Sequence, residues 1–395
     1  MEAAGELGSF PFGQPNRVRP MRRPTGDPAA LIVGVYPSAF HIAWSPPDDV
    51  DPRPPDVRQR PMISSLAVDV EPAVFWDGTD PSPADELERW KLTVGFDPAT
   101  HGVVRVGNNG PSGSGLLNEI LAPLGIDPAN AAYTDAVPWF FVKGGPGSQG
   151  NAITERFNPI ARRLGLVEGQ LPKRPTARAL VNIAASSPRR DRLRQEVLDA
   201  GAPLVVTLGQ EALDVLRGVA HHLTGAPSRL DPHGYGSNAD LIIGGRTFTL
   251  LPLAHPGFLR QTTHMKWRDA LTRWKVRVVT DRVGRRRPTP DKALDQCSAA
   301  REELIEELNK VGVSGHRRIQ VSGLVSTSGA HPDFHDGHQV LRVGDSYIDV
   351  TYMQVDSTSP QPWRIYDSLE ELHLTWTIAT DWETGVPEGV TADSA

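Results

Sequence analysis

The chain has a single cysteine, Cys297. It stands near the start of Ala293–Val311, where Cys297, Leu304, Ile305 and Leu308 recur on or near one helical face. A thiol at a helix N-terminus is shifted toward the thiolate, the nucleophilic form. Further on, after Gly337, His338 opens an expected strand, and Asp349 lies in the next one, within GHQVLRVGDSYIDVTYMQV. Nucleophile, base and orienting carboxylate in that order suit covalent attack on a carbonyl. Gln296 or a backbone amide at the helix start would then hold the oxyanion. The competing reading is a buried structural cysteine with His and Asp on the surface. His331, Asp333, His335 and Asp336 precede His338 closely. A metal could use such a cluster, but no regular ligand spacing emerges, and a polar loop is the reading adopted.

Elements that could position these groups follow from the pattern. Leu31–Val35 is a short apolar run suited to a buried strand, and Ile63–Glu71 alternates as a strand does. Gly113–Leu124 carries leucines and isoleucine at helical spacing, with Gly125 as its cap. Ala132–Phe141 reads as a strand interrupted by Pro138. Ser187-Pro188 opens a helix that Gly201 ends. Pro203–Leu208 and Phe248–Leu253 are buried strands, Gly209 opens a helix, and Lys266–Val276 is helical. Strands alternating with helices predict an α/β domain with a mostly parallel sheet. Ligands of such sheets sit at the carboxyl ends of strands, here after Val33, Thr134, Leu208 and Leu253. Helix followed by strands after Asp291 predicts a smaller α+β domain. The expected organisation is a flexible arm (1–30), an α/β domain (31–283), a basic linker (284–290) and the α+β domain (291–395).

Composition narrows the function classes. Of 395 residues, 39% are apolar and 22% charged, which supports packed cores and excludes wholesale disorder. One cysteine excludes disulfide scaffolds and thiolate-held zinc or iron–sulfur clusters within one chain. No apolar run approaches the ~20 residues of a membrane helix. The start, MEAAGELGSFPFG, has neither the basic beginning nor the apolar stretch of a secretory signal, so a reducing cytoplasm is expected. The net charge is −6, with −11 from Pro290 onward and +5 before it, so the first part could accept a polyanion and the last would repel one. GGPGSQG (Gly144–Gly150) lacks the Gly-Lys-Ser/Thr ending of a phosphate loop and reads as a flexible loop.

Five landmarks then occur in a recognisable order: LIVGVYPSAFHIAW (Leu31–Trp44), GPSGSGLLNEILAPLGIDPANAAYTDAVPW (Gly110–Trp139), PLVVTLGQEAL (Pro203–Leu213), LPLAHPGFLRQ (Leu251–Gln261) and KWRDALTRWK. Together they resemble the uracil-DNA glycosylase superfamily over about Leu31 to Val283. The resemblance implies a parallel-sheet, three-layer domain that flips a nucleotide into a pocket and cleaves the sugar–base bond. It implies that His255 donates to the oxygen of the leaving base. It implies that Pro256, Gly257, Phe258, Leu259 and Arg260 enter the groove, with Phe258 or Leu259 as wedge and Arg260 on a phosphate. Gly209 opens the helix beside the DNA. Gly34, Tyr36, Pro37, Phe40 and His41 would line the base pocket, with Phe40, Phe75 or Trp76 as stacking rings. The family often has Asp, Glu or Asn where this chain has Val35 and Tyr36. Branches without that polar group look closest to GVYPSAFH. Where Asn is common at the base-reading strand, this chain has Thr134-Asp135. An ionised Asp only accepts, which suits a base showing an amino group, as cytosine does. The alternative is that Asp135 caps a loop.

The second stretch, Asp291–Glu383, is similar to papain-fold toxin and transglutaminase-core families through G-H-x-V…Y-I-D-V-T-x-x-Q. That resemblance implies Cys297 as nucleophile, His338 as base and Asp349 as orienter, acting on amides by proteolysis, deamidation or acyl transfer. The expectation is a base-excising enzyme with DNA as partner, single- or double-stranded, fused to a cysteine domain with a protein or amide substrate. No cofactor, metal or membrane is expected. The alternative is a DNA or base sensor that does not cleave and whose activity lies in the cysteine domain.

Overall fold

The computed structural model describes residues 7–259, 264–326, 330 and 337–388. It is a mixed α/β structure that divides into two compact units, 1–117 with 126–264, and 118–125 with 265–395.

The first unit contains strands β1 (Ala30–Gly34), β2 (Ala39–Ser45), β3 (Ile63–Val70), β4 (Val103–Val106), β5 (Ala131–Asp135), β6 (Leu204–Leu208), β7 (His222–Thr224), β8 (Ala239–Ile243) and β9 (Arg246–Leu253). Six form one sheet in the order β5-β1-β6-β9-β8-β7. The pairs β5–β1, β1–β6 and β6–β9 are parallel, and β9–β8 and β8–β7 antiparallel. Every residue of β1 and β5 is buried, and in β1 this leaves LIVG as an unbroken apolar run. Leu31, Val33, Val205 and Leu250 of the sheet pack with Leu180, Leu193, Val197, Leu213 and Leu216 of the helices. The expected strand Ala132–Phe141 ends at Asp135, and the residues around Pro138 leave the sheet. The helix expected over Gly113–Leu124 forms from Leu117, and Gly125 caps it with φ 68°.

A separate antiparallel sheet, β3-β2-β4, was not expected. Its core is aromatic and includes the start of the chain. Phe10 is wholly buried, and the Phe12 ring lies 5.3 Å from Trp90 and 4.9 Å from Phe157. Arg22 and Tyr133 exchange backbone hydrogen bonds. The expectation of a loose arm therefore fails for residues 7–30. The segment has no periodicity because two phenylalanines and scattered backbone bonds anchor it, without regular structure.

The second unit begins at Met265. The helix Met265–Gly284, expected to close the first domain, buries Val276, Val279 and Val283 against Leu304 and Leu308 of the helix Cys297–Lys310. Lys275 pairs with Glu119 and donates to the Val311 carbonyl at 2.9 Å, tying 118–125 into this unit. Strands β10 (His316–Leu324), β11 (His338–Val343), β12 (Ser346–Asp349), β13 (Arg364–Tyr366) and β14 (Trp376–Asp381) form an antiparallel sheet in the order β13-β12-β11-β10-β14. Leu341 and Ile348 meet the two helices, while Val321, Val340, Tyr366 and Trp376 form the core of the other face.

The unit boundary also revises the charge reading. Counted by compact unit, the first carries −1 and the second −5. The basic stretch Arg285–Arg287, expected to be a linker, belongs to the second unit, where Arg286 and Arg287 pair with Glu303. Net charge no longer distinguishes a polyanion-binding half.

Candidate functional sites

The first site lies where the carboxyl ends of β1, β5 and β9 meet. Gly34, Tyr36, Pro37, Asp135 and His255 line one pocket, joined by Arg19, Val35, Ser38, Phe75 and Ser112. Its volume is about 30 Å³, small beside the ~300 Å³ or more of a typical ligand cleft. Gly34 is required for this approach. A Cβ there would fall 2.5 Å from the Asp135 Oδ1 and 2.9 Å from the Phe75 ring. Gly209, with φ 97°, opens the helix Gln210–Val219 and donates its N–H to the Leu253 carbonyl at 2.7 Å, just before the His255 turn.

The Gly257 N–H donates to His255 Nδ1 at 3.1 Å. Burial, with Lys143 nearby, lowers the His255 pKa. The ring is therefore neutral near pH 7, and the proton falls on Nε2, a donor. Asp135 lies in the opposite regime. Burial pushes its pKa up to about 7, against the counter-pull of Arg19 and Arg192. Arg192 donates to the backbone carbonyl of Asp135 at 2.9 Å, and Thr134 Oγ1 donates to Glu196 at 2.6 Å, so the strand end is fixed from behind. Burial also lifts Glu71 to about 7, although the Ser112 N–H donates to it at 2.9 Å.

Two expected pocket residues do not reach this site. Phe40 is wholly buried and meets Trp76 edge-on at 6.3 Å, within the core of the β3-β2-β4 sheet. His41 is held on β2 by Asn109, which accepts from its N–H at 2.7 Å, and its ring bonds Gln149. Alternation along β2 sends these side chains into a sheet the sequence reading did not contain. Of the three stacking rings considered, only Phe75 lines the pocket. Leu259 is buried and so is not an exposed wedge, whereas Phe258 stacks on His264 at 4.0 Å. Pro256 is buried and Gly257 exposed. Arg260 lies outside the described residues, as do His331, Asp333, His335 and Asp336. Arg19, Ser38, Ser112 and Glu71 were missed. Arg19 stands among other arginines in an irregular segment and offers no pattern.

The second site lies in the second unit. Cys297 is the first residue of its helix, His338 opens β11 and Asp349 ends β12. His338 and Asp349 are wholly buried, with His338 Nε2 2.8 Å from Asp349 Oδ2. The other carboxylate oxygen accepts the Thr351 N–H at 2.9 Å. The His338 ring stacks on Trp376 at 5.3 Å, with planes 12° apart. The Gln354 amide lies 2.9 Å from both His338 Nδ1 and Thr351 Oγ1. Burial raises the Cys297 pKa, but hydrogen bonding to His338 and the charge of that ring outweigh it, so the thiol lies below its ordinary value. Burial disfavours charge on His338 too, yet Asp349 and Cys297 hold it up at about 9. These directions favour a thiolate beside an imidazolium. Gln296 is exposed next to the thiol. Thr351, Gln354 and Trp376 were not assigned roles from sequence. The first two fall in the D-V-T-x-x-Q phrase, which was the available signal.

Among the described residues no helix is long and apolar enough to cross a membrane. Neither a scan against models of protein families nor a search of curated proteins returned a match for this chain.

Proposed function

We propose that the second unit is a cysteine-dependent enzyme acting on amides, with Cys297 as nucleophile, His338 as acid and base, and Asp349 as orienter. The buried His338–Asp349 bond of 2.8 Å, beside a Cys297 thiol whose pKa the His338 ring lowers, carries this reading. The Cys297 thiolate attacks the carbonyl carbon, and the carbonyl electrons move onto oxygen. As they return, the C–N bond breaks and His338 gives its proton to the departing amine. A thioester remains on Cys297. Water or a second amine attacks it, His338 takes that proton, and the thiolate leaves. Water gives hydrolysis or deamidation, and an amine gives transfer. The test is mass spectrometry of the full chain incubated with a glutaminyl peptide, together with assay of released ammonia or amine. An adduct at Cys297 and release that vanishes in Cys297→Ala supports the reading. Release unchanged in Cys297→Ala overturns it.

For the first unit, one observation favours a second activity. His255 Nε2–H, Asp135 and the Gly34–Pro37 turn converge at the carboxyl ends of parallel strands, where the glycosylase resemblance expects a base. In this reading the three-layer glycosylase-like arrangement holds a base flipped out of DNA. The base leaves with the electrons of the sugar–base bond, His255 stabilises its oxygen, water adds to the sugar carbon, and the proton the water loses neutralises the departed base. At about 30 Å³ the pocket must widen to admit a ring. The test is alkali-induced cleavage of oligonucleotides carrying one uracil, cytosine, 5-hydroxymethylcytosine, hypoxanthine or thymine. A product lost in His255→Ala supports excision. No product on any of them rules out excision of these bases and leaves a pocket that binds without cleaving.

A further inference from the structure

We infer that Arg19 is a base-reading residue, and that with Asp135 it forms a divided charge pair built for the edge of a cytosine-class ring. This rests on the reading of the first unit as base-binding. The observation is one of missing partners. Arg19 is 9% exposed and Asp135 6% exposed, and both line the pocket. Yet neither side chain has a hydrogen bond or ion pair with any described residue, and the two do not bond each other. Their influence is only through space: Arg19 feels Asp135, Glu71 and Asp69, while Asp135 feels Arg19, Arg192 and Glu196. Buried charges are costly unless paired, and a structural ion pair would have closed to within hydrogen-bond distance. Two opposite charges held apart at one pocket instead leave both groups open to a ligand.

The backbone keeps them in place. The Arg19 N–H donates to the Pro138 carbonyl at 2.7 Å, and the Asn16 amide bonds the Phe140 carbonyl at 3.0 Å, anchoring the segment that delivers Arg19. The absence of a side chain at Gly34 leaves the Asp135 carboxylate its space.

The chemistry of the two groups names the edge. A guanidinium presents parallel N–H donors, and a carboxylate that is ionised, as Asp135 is above about pH 7, only accepts. The complementary edge has two adjacent acceptors followed by a donor. Cytosine has that order in its O2, N3 and amino group. Uracil puts its N–H between two oxygens and leaves Arg19 one acceptor. Adenine has one acceptor beside its amino group, and guanine's N–H follows a single oxygen. Phe75 lines the same pocket and is an aromatic ring available there.

The experiment is equilibrium binding of deoxycytidine, deoxyuridine and N4,N4-dimethyldeoxycytidine to the full chain, by calorimetry. Deoxycytidine should bind about 10-fold or more tightly than the other two. Arg19→Met should lose about 10- to 100-fold of that affinity. Asp135→Asn, a near-isosteric change that keeps the fold testable, should shift preference toward deoxyuridine, because an amide both donates and accepts. Deoxyuridine favoured by the unaltered protein, equal affinity in Arg19→Met, or no nucleoside binding tighter than about 10 mM would each overturn the inference. Its failure is separable from that of excision. Arg19-dependent deoxycytidine binding with no base released removes excision and keeps the edge. Uracil release without deoxycytidine binding does the reverse.

Discussion

The two sites treat buried charge in opposite ways. In the second unit His338 and Asp349 are bonded to each other, and the ring is held further by Gln354 and by Trp376. In the first, Asp135 and Arg19 share a pocket without touching. A closed network fixes protonation states before any substrate arrives, as a nucleophile needs. An open pair keeps its electrostatic energy unspent until something bridges it, as a recognition site needs. On the proposed readings, pairing, more than the kinds of residue present, separates a site wired for chemistry from one awaiting a ligand.

The sharpest way to break this contrast is to remove the nucleophile. Cys297→Ala should abolish adduct formation and amide turnover, measured by mass spectrometry and ammonia release, while leaving nucleoside binding unchanged. Asp349→Asn should come next, with a fall of about 10²- to 10⁴-fold in turnover. It should also move the rise of iodoacetamide alkylation at Cys297 to higher pH, because His338 loses the charge that holds its pKa at about 9. An unchanged alkylation profile would mean that the closed network does not set the thiol.

Stability offers a second pair of tests. Phe12→Ala should cost the first unit about 3–5 kcal/mol, read from denaturant unfolding, since four large rings surround it. A loss within about 0.5 kcal/mol would mean that the start of the chain is not integral to the core. For Asp135 the effect depends on pH. Its folded pKa, about 7, lies above the ordinary value of 3.8, so the unfolded chain ionises first. Stability from this group is therefore full below about pH 4 and lost as pH rises through 7. Asp135→Asn should stabilise the protein at about pH 8 by on the order of 2–4 kcal/mol and hardly at all at about pH 4. The smallest expected effect is that of Gln354→Leu, about tenfold in turnover, since it removes the polar group that lies 2.9 Å from His338 Nδ1.

What was legible in the sequence follows from how each feature is encoded. Parallel strands buried on both faces leave unbroken apolar runs, so β1, β6 and β9 could be read, and with them the loops bearing Gly34, Gly209 and His255. The helix after Cys297 and the strands of His338 and Asp349 were marked by periodicity and glycines. Arg19 was not legible, because an irregular segment has no period and the pocket it lines is completed by Asp135, more than a hundred residues away. Phe40 and His41 were misplaced for a related reason. The turn after β1 was read as continuing along the pocket, whereas Ala39 begins a strand that pairs with β3 and β4 and turns both side chains elsewhere.

The short segment Asn118–Gly125 belongs to the second unit while the chain on both sides of it belongs to the first. On a ribosome these eight residues emerge long before Met265 and the helices they join. They must wait, undocked, until the remainder of the second unit has been synthesised. Fragments cut at residue 290 would separate the helix Met265–Gly284 from Leu304 and Leu308, exposing Val276, Val279 and Val283. The order of manufacture thus differs from the order of assembly, and the second unit can complete its core only once the first has been made.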